Sequence, residues 1–477
     1  MAEFTKRFLP KKSIDISEWY NKLVLMSELA DYGPAKGTMI FRPYGYRIWE
    51  LVQKEMDLAI KAKGVDNAYF PLFIPESLLN KEKEHVEGFS PELAVVTIGG
   101  GEKLSERLIV RPTSETIMYN AYSKWVQSWR DLPILINQWN NVVRWEKRTY
   151  LFLRTSEFLW QEGHTAHANH EESWEFVEWA MNMYAKTYQS LFAIPGLIGK
   201  KSESEKFPGA VTTLTYESLM PGGKALQSCT SHDLGQNFSK PFNIEYLDKS
   251  GEKQFAWQTS WGLSTRSIGG LILTHGDDQG LKIPPKIAPI QVVILPVHFE
   301  DYVLNYCHHI ETDLKNAGIR IFVDERDDET LGYRINKWEI KGVPIRLEIG
   351  KKETDLSQVT IIRRDNSHKE SISANSLDNQ IIKILDDIQN NLYQDAVNYL
   401  SQNTFEAQNY DQFKEIMNNS RGFIKAFWCE DPVCEAKIKA ETKASTRCLP
   451  LDSIEEFGKC VYCQKDAKYK WYFAISY

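Results

Sequence analysis

With 477 residues, 42% hydrophobic and 12% aromatic, the chain is too long for one core and apolar enough to build roughly three. A formal net charge of -7 excludes a globally basic, DNA-coating protein, so any nucleic-acid surface must be a local patch on an acidic molecule. The N-terminus MAEFTKRFLPKKSIDISEW is too charged for a signal peptide, and the most apolar run, Ile287 to Val297, is broken by Pro289, Gln291 and Pro296. Seven cysteines, an odd number clustered toward the C-terminus, argue for metal or free thiols over a secreted disulfide framework, and a cytoplasmic protein without a membrane partner is expected.

From Arg47 to Ala62, the residues Ile48, Leu51, Val52, Met56 and Ile60 recur at helical spacing, and VDNAYFPLFIP then reads as a strand ended by Pro71 and Pro75. Ile134 to Trp145 and Phe152 to Glu162 read as two strands joined by the charged loop Lys147 to Tyr150. Glu171 to Leu191 reads as a long amphipathic helix. These strands predict an antiparallel sheet rather than a doubly wound one. After SIGGLILTHGDDQGLKIPP the texture changes at Pro284 and Pro285, and QVVILPV, RIFVD and PIRLEIG recur as short apolar strands with helical patterns between them. That is the pattern of a separate α/β domain with mostly parallel strands. A helical segment through Leu377 to Leu400 leads to a last unit, from about Thr404, which ends in YKWYFAISY.

The most informative stretch is Val143 to Phe158, VRWEKRTYLFLRTSEF, which sets an Arg-x-Glu and an Arg-x-x-x-Phe on two arms around a polar loop. Arg144 can hold a phosphate or carboxylate bidentately, Glu146 can accept from an adenine amino group, Arg154 adds charge, and Phe158 offers a face for stacking. No GxxxxGK[ST] occurs in the chain, so a phosphate-cradling glycine loop is not the means of binding a nucleotide. Arginines and glutamates alternate on many solvent-facing strands. In this chain a second element, QTSWGLSTRSIGG, places Arg266 after a hydroxyl-rich turn, where it can close over a nucleotide opposite Phe158.

These elements resemble motifs 2 and 3 of the class II aminoacyl-tRNA synthetases, with the helix and strand from Arg47 to Pro71 as motif 1. RPTSET at 111–116, FLWQEGHTAH at 158–167, SHDLGQNFS at 231–239 and HGDDQGLKIPP at 275–285 are similar, in order and spacing, to the archaeal and eukaryotic form of prolyl-tRNA synthetase, over nearly the whole chain. The resemblance implies an α/β protein with an α+β catalytic core: an antiparallel sheet with flanking helices over 1–285, an α/β anticodon-binding domain over 286–400, and a small zinc-binding α/β domain over 401–477. It implies ATP-dependent activation of L-proline to prolyl-adenylate and transfer to the 3′ end of tRNA(Pro). Arg144 and Arg266 would be catalytic. Arg144 would sit at the carboxylate and α-phosphate, Arg154 and Arg266 on the phosphate tail with Mg²⁺, and Phe158 with Arg266 around adenine. Glu146, Thr155, Gln227, Thr230 and Ser264 complete the implied nucleotide set. Thr113 and Glu115 would saturate the two hydrogens of the protonated secondary amine. Trp160, His164 and Phe207 would wall the apolar ring, with Glu162 and His232 holding that wall by hydrogen bonds. Glu339, Arg346 and Lys352, in the charged run KWEIKGVPIRLEIGKK, would contact the anticodon, although such a run is ordinarily a solvated face.

Cys429 and Cys434 form C-x4-C and Cys460 and Cys463 form C-x2-C, a structural Zn²⁺ spacing with no open ligand position. Cys448, between the pairs, is a possible substitute ligand, and buried free thiols are the bland alternative. His164, His167 and His170 fall at steps of three, but a strand-to-helix junction is expected to make the rings diverge. Only about 90 residues separate His164 from Trp257, too few for the inserted hydrolytic domain of many bacterial prolyl enzymes. Misactivation of alanine and cysteine, cleared by a separate trans-editing protein, is therefore expected. The resemblance further implies a homodimer, and the terminal carboxylate of Tyr477 is expected near the catalytic site or merely buried. Two rivals are weighed. A threonine enzyme needs zinc-binding Cys and His in its pocket, which these motifs lack. A tRNA-binding protein that has lost activation is opposed by the intact Arg144, Glu115 and Arg266.

Overall fold

The computed structural model describes residues 9–81 and 93–477. The first eight residues of the charged N-terminal stretch lie outside the described residues. The central sheet is largely antiparallel and runs, edge to edge, through Thr404–Glu406, Phe423–Trp428, Tyr469–Ser476, Ala444–Pro450, Leu197–Lys200, Thr212–Met220, Lys224–Gly235, Trp257–Ser264, Glu157–His167, Ile134–Val143 and Asp66–Asn67. The last unit of the chain thus adds its strands to the same sheet, joined where Leu449 pairs with Lys200 and Pro450 with Gly199. Gly199 permits this seam, because a Cβ there would lie 2.5 Å from the Leu449 carbonyl oxygen.

The helix Pro43–Ala62 buries Ile48, Leu51, Val52, Met56 and Ile60, the face expected from the sequence. VDNAYFPLFIP is not one strand. Asp66–Asn67 pairs with the central sheet, while Phe73–Pro75 pairs with Glu102–Val110 in a separate three-stranded sheet. Pro71, with no N–H to give a ladder, stands at the crossing. The second arm of the Val143 to Phe158 hairpin also differs from expectation. Leu151, Phe152 and Leu153 are buried but not extended: Phe152 has φ 62° and packs edge-on against Phe41, and the strand begins only at Glu157 and continues to His167. The helix His170–Ser190 lies across the sheet and buries Phe176, Val177, Tyr184 and Tyr188 in the main core with Trp19, Trp49 and Trp261.

In the second domain Ile321–Val323, Val292–Pro296 and Ile345–Ile349 are parallel, and Gln358–Arg363 and Lys369–Ser373 extend that sheet antiparallel. Its core, from Val292, Ile294, Ile345, Leu347 and Ile361, is covered by Asp301–Asn316 and the long helix Leu377–Gln402. Asp277, just beyond the helix Arg266–His275, receives both terminal nitrogens of Arg364 at 3.0 and 2.6 Å and so ties this domain to the first. The last unit packs Phe413, Trp428, Trp471 and Phe473 around Cys434 and Cys460.

Candidate active site

Strand alternation builds the floor of the site. In the Ile134–Val143 and Glu157–His167 pair, Trp160, Glu162 and His164 stand two residues apart opposite Asn140, Gln138 and Ile136, so all three share one face. They line a cavity of about 300 Å³ with Thr113, Glu115, Arg144, Phe207, Gln227, Thr230 and His232. Every residue expected around a proline is therefore on one cavity, although the contributing segments span Thr113 to His232. Sequence reasoning missed Glu205, Lys206, Thr213 and Trp261, which also line it. A signal for Trp261 existed in Gly163: a Cβ there would lie 2.1 Å from the Trp261 ring, so the glycine marks an indole lying flat across the strand.

The buried Glu162 carboxylate is fully used. It accepts from Ser114 N at 3.1 Å, the Ser114 hydroxyl, Gln138 Nε2 at 3.1 Å and Asn140 Nδ2 at 2.6 Å, and pairs with His164 Nε2 at 3.0 Å. Burial opposes its charge, yet the His164, Ser114 and Asn140 hydrogen bonds hold it below the usual carboxylate range. For His164, burial likewise works against the charged ring. The Glu162 hydrogen bond and the fields of Glu115 and Glu162 outweigh it and raise the pKa. Tyr119 contacts the other ring nitrogen at 3.3 Å. His232 goes the other way. Burial, then the charges of His164 and Arg144, press it down to about 3, and a neutral ring lies tilted against Phe207 with centroids 4.5 Å apart while its Nδ1 meets the Thr213 hydroxyl at 2.9 Å. The Thr113 hydroxyl is hydrogen-bonded to Glu115. One wall is thus acidic and the other aromatic, which suits a cationic amine on an apolar ring.

A second cavity, of about 170 Å³, is lined by Arg144, Glu146, Phe152, Leu153, Arg154, Thr155, Phe158, Ser264 and Arg266. Arg144 belongs to both cavities. Its Nε donates to the Pro112 carbonyl at 3.0 Å, and its guanidinium lies 5.5 Å from the Phe158 ring centre and 5.2 Å from that of Trp160. Arg266 opens the helix Arg266–His275 and donates to the Leu153 carbonyl at 3.1 Å. Burial, then the charge of Arg144, push its pKa below the ordinary guanidinium value. Like charges gathered this closely mark a place built for an anion. Arg154 stands 3.4 Å from Glu146 across the mouth.

Elsewhere, Glu339 and Arg346 pair at 2.9 Å and share a cavity of about 390 Å³ with Gln279, Trp338, Arg363 and Arg364. Lys352 lies on the short helix Lys351–Asp355, outside that lining. Cys429, Cys434, Cys460 and Cys463 bring their sulfurs within 4.8 Å of one another, with Cys429 and Cys463 at 3.5 Å and Cys434 and Cys460 at 3.6 Å. Ligands about 2.3 Å from a tetrahedral zinc have sulfurs about 3.8 Å apart, so the donor set fits that ion. Cys448 is buried in Ala444–Pro450 and is not among the four. The three histidines diverge as expected. His164 faces the cavity, His167 Nε2 meets the Thr165 hydroxyl at 2.7 Å, and His170 Nε2 meets Asp233 at 3.0 Å. Tyr477 ends the chain beside the sheet, where its N–H donates to the Ala225 carbonyl at 3.0 Å and its ring lies under Lys224.

Three family descriptions match successive segments: "tRNA synthetase class II core domain (G, H, P, S and T)" over 97–275, "Anticodon binding domain" over 291–384, and "Prolyl-tRNA synthetase, C-terminal" over 410–477. The chain is 49% identical to the proline--tRNA ligase of Natranaerobius thermophilus, covering 100% of this chain and 99% of that one. It is 48% identical to that of Alkaliphilus oremlandii over 100% and 99%. Among solved structures, the prolyl-tRNA synthetase of Cryptosporidium parvum complexed with halofuginone and AMPPNP superposes with a TM-score of 0.94 at 43% identity, over 98% of this chain and 99% of that one.

Proposed function

Because the chain belongs to the proline--tRNA ligases, class II aminoacyl-tRNA synthetases that attach proline to tRNA at the expense of ATP, we propose the following division of labour for its residues. Proline occupies the 300 Å³ cavity, its secondary amine against Glu115 and Thr113 and its ring against Trp160, His164 and Phe207. Glu162 and His232 act on that wall from behind. ATP occupies the adjoining cavity, adenine between Phe158 and Arg266 and its amino group toward Glu146, with Thr155 and Ser264 beside it and Gln227 and Thr230 at the junction. The structural relative complexed with AMPPNP, an ATP analogue, supports this reading.

The observation that carries it is Arg144, the one predicted residue that lines both cavities. A guanidinium there can hold the proline carboxylate and the α-phosphate together, so attack becomes effectively intramolecular. As the carboxylate oxygen bonds to the α-phosphorus, the bond from that phosphorus to the α,β-bridging oxygen breaks and pyrophosphate leaves with the developing negative charge. Arg154 and Arg266 meet that charge. Mg²⁺ accompanying ATP supplies further neutralisation on the phosphates. No protein atom is acylated, and the terminal ribose hydroxyl of tRNA then attacks the carbonyl carbon of the adenylate, forming the ester as the hydroxyl proton is lost and AMP leaves.

Further assignments belong to the same proposal. Domains run 1–285, 286–400 and 401–477. Cys429, Cys434, Cys460 and Cys463 hold a structural Zn²⁺ that braces a thin core. Glu339, Arg346 and Lys352 read the anticodon. A homodimer belongs to the same proposal, and large apolar side chains stand exposed in this region, Tyr32 and Ile40 before the Pro43–Ala62 helix and Tyr46 and Leu58 on it. No helix among the described residues is long and apolar enough to cross a membrane, which is consistent with work in the cytoplasm. A cavity sized for proline rejects a smaller side chain by only about 1–3 kcal/mol per missing methylene, so alanine and cysteine are misactivated and a separate protein clears the error. The test is amino-acid-dependent ATP–pyrophosphate exchange with proline, alanine, cysteine and threonine. Proline is expected to give the highest kcat/KM, alanine and cysteine weaker turnover, and threonine none. Equal exchange with threonine would overturn the pocket assignment.

A further inference from the structure

The Phe207 wall of the amino-acid cavity is not carried by a strand. It comes from a loop, 201–208, between the strands Leu197–Lys200 and Thr212–Met220, and this loop is held from outside the catalytic core. Glu435, a buried carboxylate on the helix Pro432–Thr442, accepts from the Ser202 hydroxyl at 3.2 Å and from the Ser204 hydroxyl. The same carboxylate takes the hydroxyl and backbone N–H of Thr446, and the Ser202 hydroxyl also meets Thr446 Oγ1 at 2.9 Å. Ser202 is in turn the pivot of the loop, since its carbonyl accepts the backbone N–H groups of Glu205 and Lys206. Phe207 follows directly. Its N–H donates to the Thr213 hydroxyl at 3.0 Å, and its ring packs against His232.

The loop's root is gripped from the same side. Lys201 pairs with the buried Glu217 at 2.8 Å, and Glu217 takes the Arg447 guanidinium at 2.8 and 3.0 Å. Glu435 and Arg447 both belong to the last unit of the chain. Glu435 is also the residue after Cys434, one of the four clustered thiols.

We propose that Glu435 is a positioning residue for the amino-acid site: through Ser202 and Ser204 it sets loop 201–208 so that Phe207 closes on the substrate ring. The inference rests on the reading of Phe207 as a wall of the proline cavity. A carboxylate suits the task because three hydroxyls and an N–H converge on it, and hydrogen bonds to a charged acceptor are the strong ones. The geometry gives the C-terminal unit a share in amino-acid affinity and none in the nucleotide cavity, whose lining contains no residue of this loop.

The test is proline and ATP titration in the exchange assay with the full-length protein. Ser202→Ala combined with Ser204→Ala removes the loop's contacts to Glu435 and leaves the thiol-bearing helix and the Lys201–Glu217–Arg447 grip intact. It is expected to raise the proline KM about tenfold, with the ATP KM unchanged and kcat within about twofold. Glu435→Gln, which keeps an acceptor, should raise the proline KM less than Glu435→Ala. Adding Glu435→Gln to the serine pair should change nothing further, because the contact is already gone. A proline KM unaltered in the serine pair while Phe207→Ala raises it would overturn the positioning role and leave the cavity assignment standing. Proline and ATP KM rising together would also overturn it, as general loosening. If Phe207→Ala itself left the proline KM unchanged, the cavity assignment would fall and this proposal with it.

Discussion

Glu115 and Glu162 are both buried carboxylates of one cavity, yet their hydrogen bonding differs. Glu162 has its oxygens occupied by Ser114, Gln138, Asn140 and His164, so it holds the wall. Among the described residues Glu115 accepts only from the Thr113 hydroxyl, which leaves it lone pairs for a ligand amine. Glu115→Gln should therefore raise the proline KM about 10- to 100-fold, as loss of a charge-assisted hydrogen bond does, with the ATP KM unmoved in exchange assays. A parallel rise in both constants would contradict that role. The histidines of the site and its surroundings predict a pH response whose sign can be worked out. Burial depresses His167 to about 4 and His275 to about 4, and burial with the His164 and Arg144 charges depresses His232 to about 3. The unfolded chain takes up these protons near pH 6.5, so the stability they contribute is full above that pH and is lost as pH falls toward the folded values. His164, raised by Glu162 and Glu115 against burial, has the opposite sign: its contribution is full below about 6.5 and fades as pH rises through its folded value. Three depressed rings outweigh one raised ring. The thermal midpoint should fall between pH 7 and pH 5, and His275→Gln should flatten that fall; a midpoint that rises toward pH 5 would contradict the assignment.

Elements were legible where one local pattern served one partner. The Pro43–Ala62 helix followed from apolar spacing, and the Ile134–Val143 and Glu157–His167 pair from two alternating arms around a charged loop. The start of the second arm was misread because Leu151, Phe152 and Leu153 are apolar for burial in a turn, and apolar residues look alike to a periodicity argument whether the chain is extended or not. The proline-ended strand failed for another reason, as its two halves pair in different sheets. Within the Glu157–His167 strand the most constrained position is Gly163, where a methyl group would collide with the Trp261 ring. Gly163→Ala should destabilise the protein by about 1–3 kcal/mol, as overpacking does, and raise the proline KM because the displaced indole also lines the cavity. Chemical denaturation and exchange kinetics check both halves, and an alanine variant with native stability would contradict the packing.

At the scale of the whole molecule, the cavity residues were recognisable singly but their convergence was not. Thr113, Arg144, Phe207, His232 and Arg266 come from separate segments, and in the sequence only resemblance to a known family brings them together. The junction of the last unit with the central sheet left still less trace. Leu449 and Lys200 pair across most of the chain, and local periodicity carries no record of so distant a partner beyond a strand glycine at Gly199. That junction matters, because it brings Glu435 and Arg447 to the loop that carries Phe207. Two neighbouring cavities meet at Arg144, and the proposed function makes them a single site for an amino acid condensed with a nucleotide. Titration calorimetry with a nonhydrolysable prolyl-adenylate mimic tests it directly. The mimic should bind the wild-type protein far more tightly than proline or ATP alone, and Arg144→Ala should remove most of that advantage, by about 100-fold or more. Binding no tighter than ATP alone, or an advantage untouched by Arg144→Ala, would contradict the account.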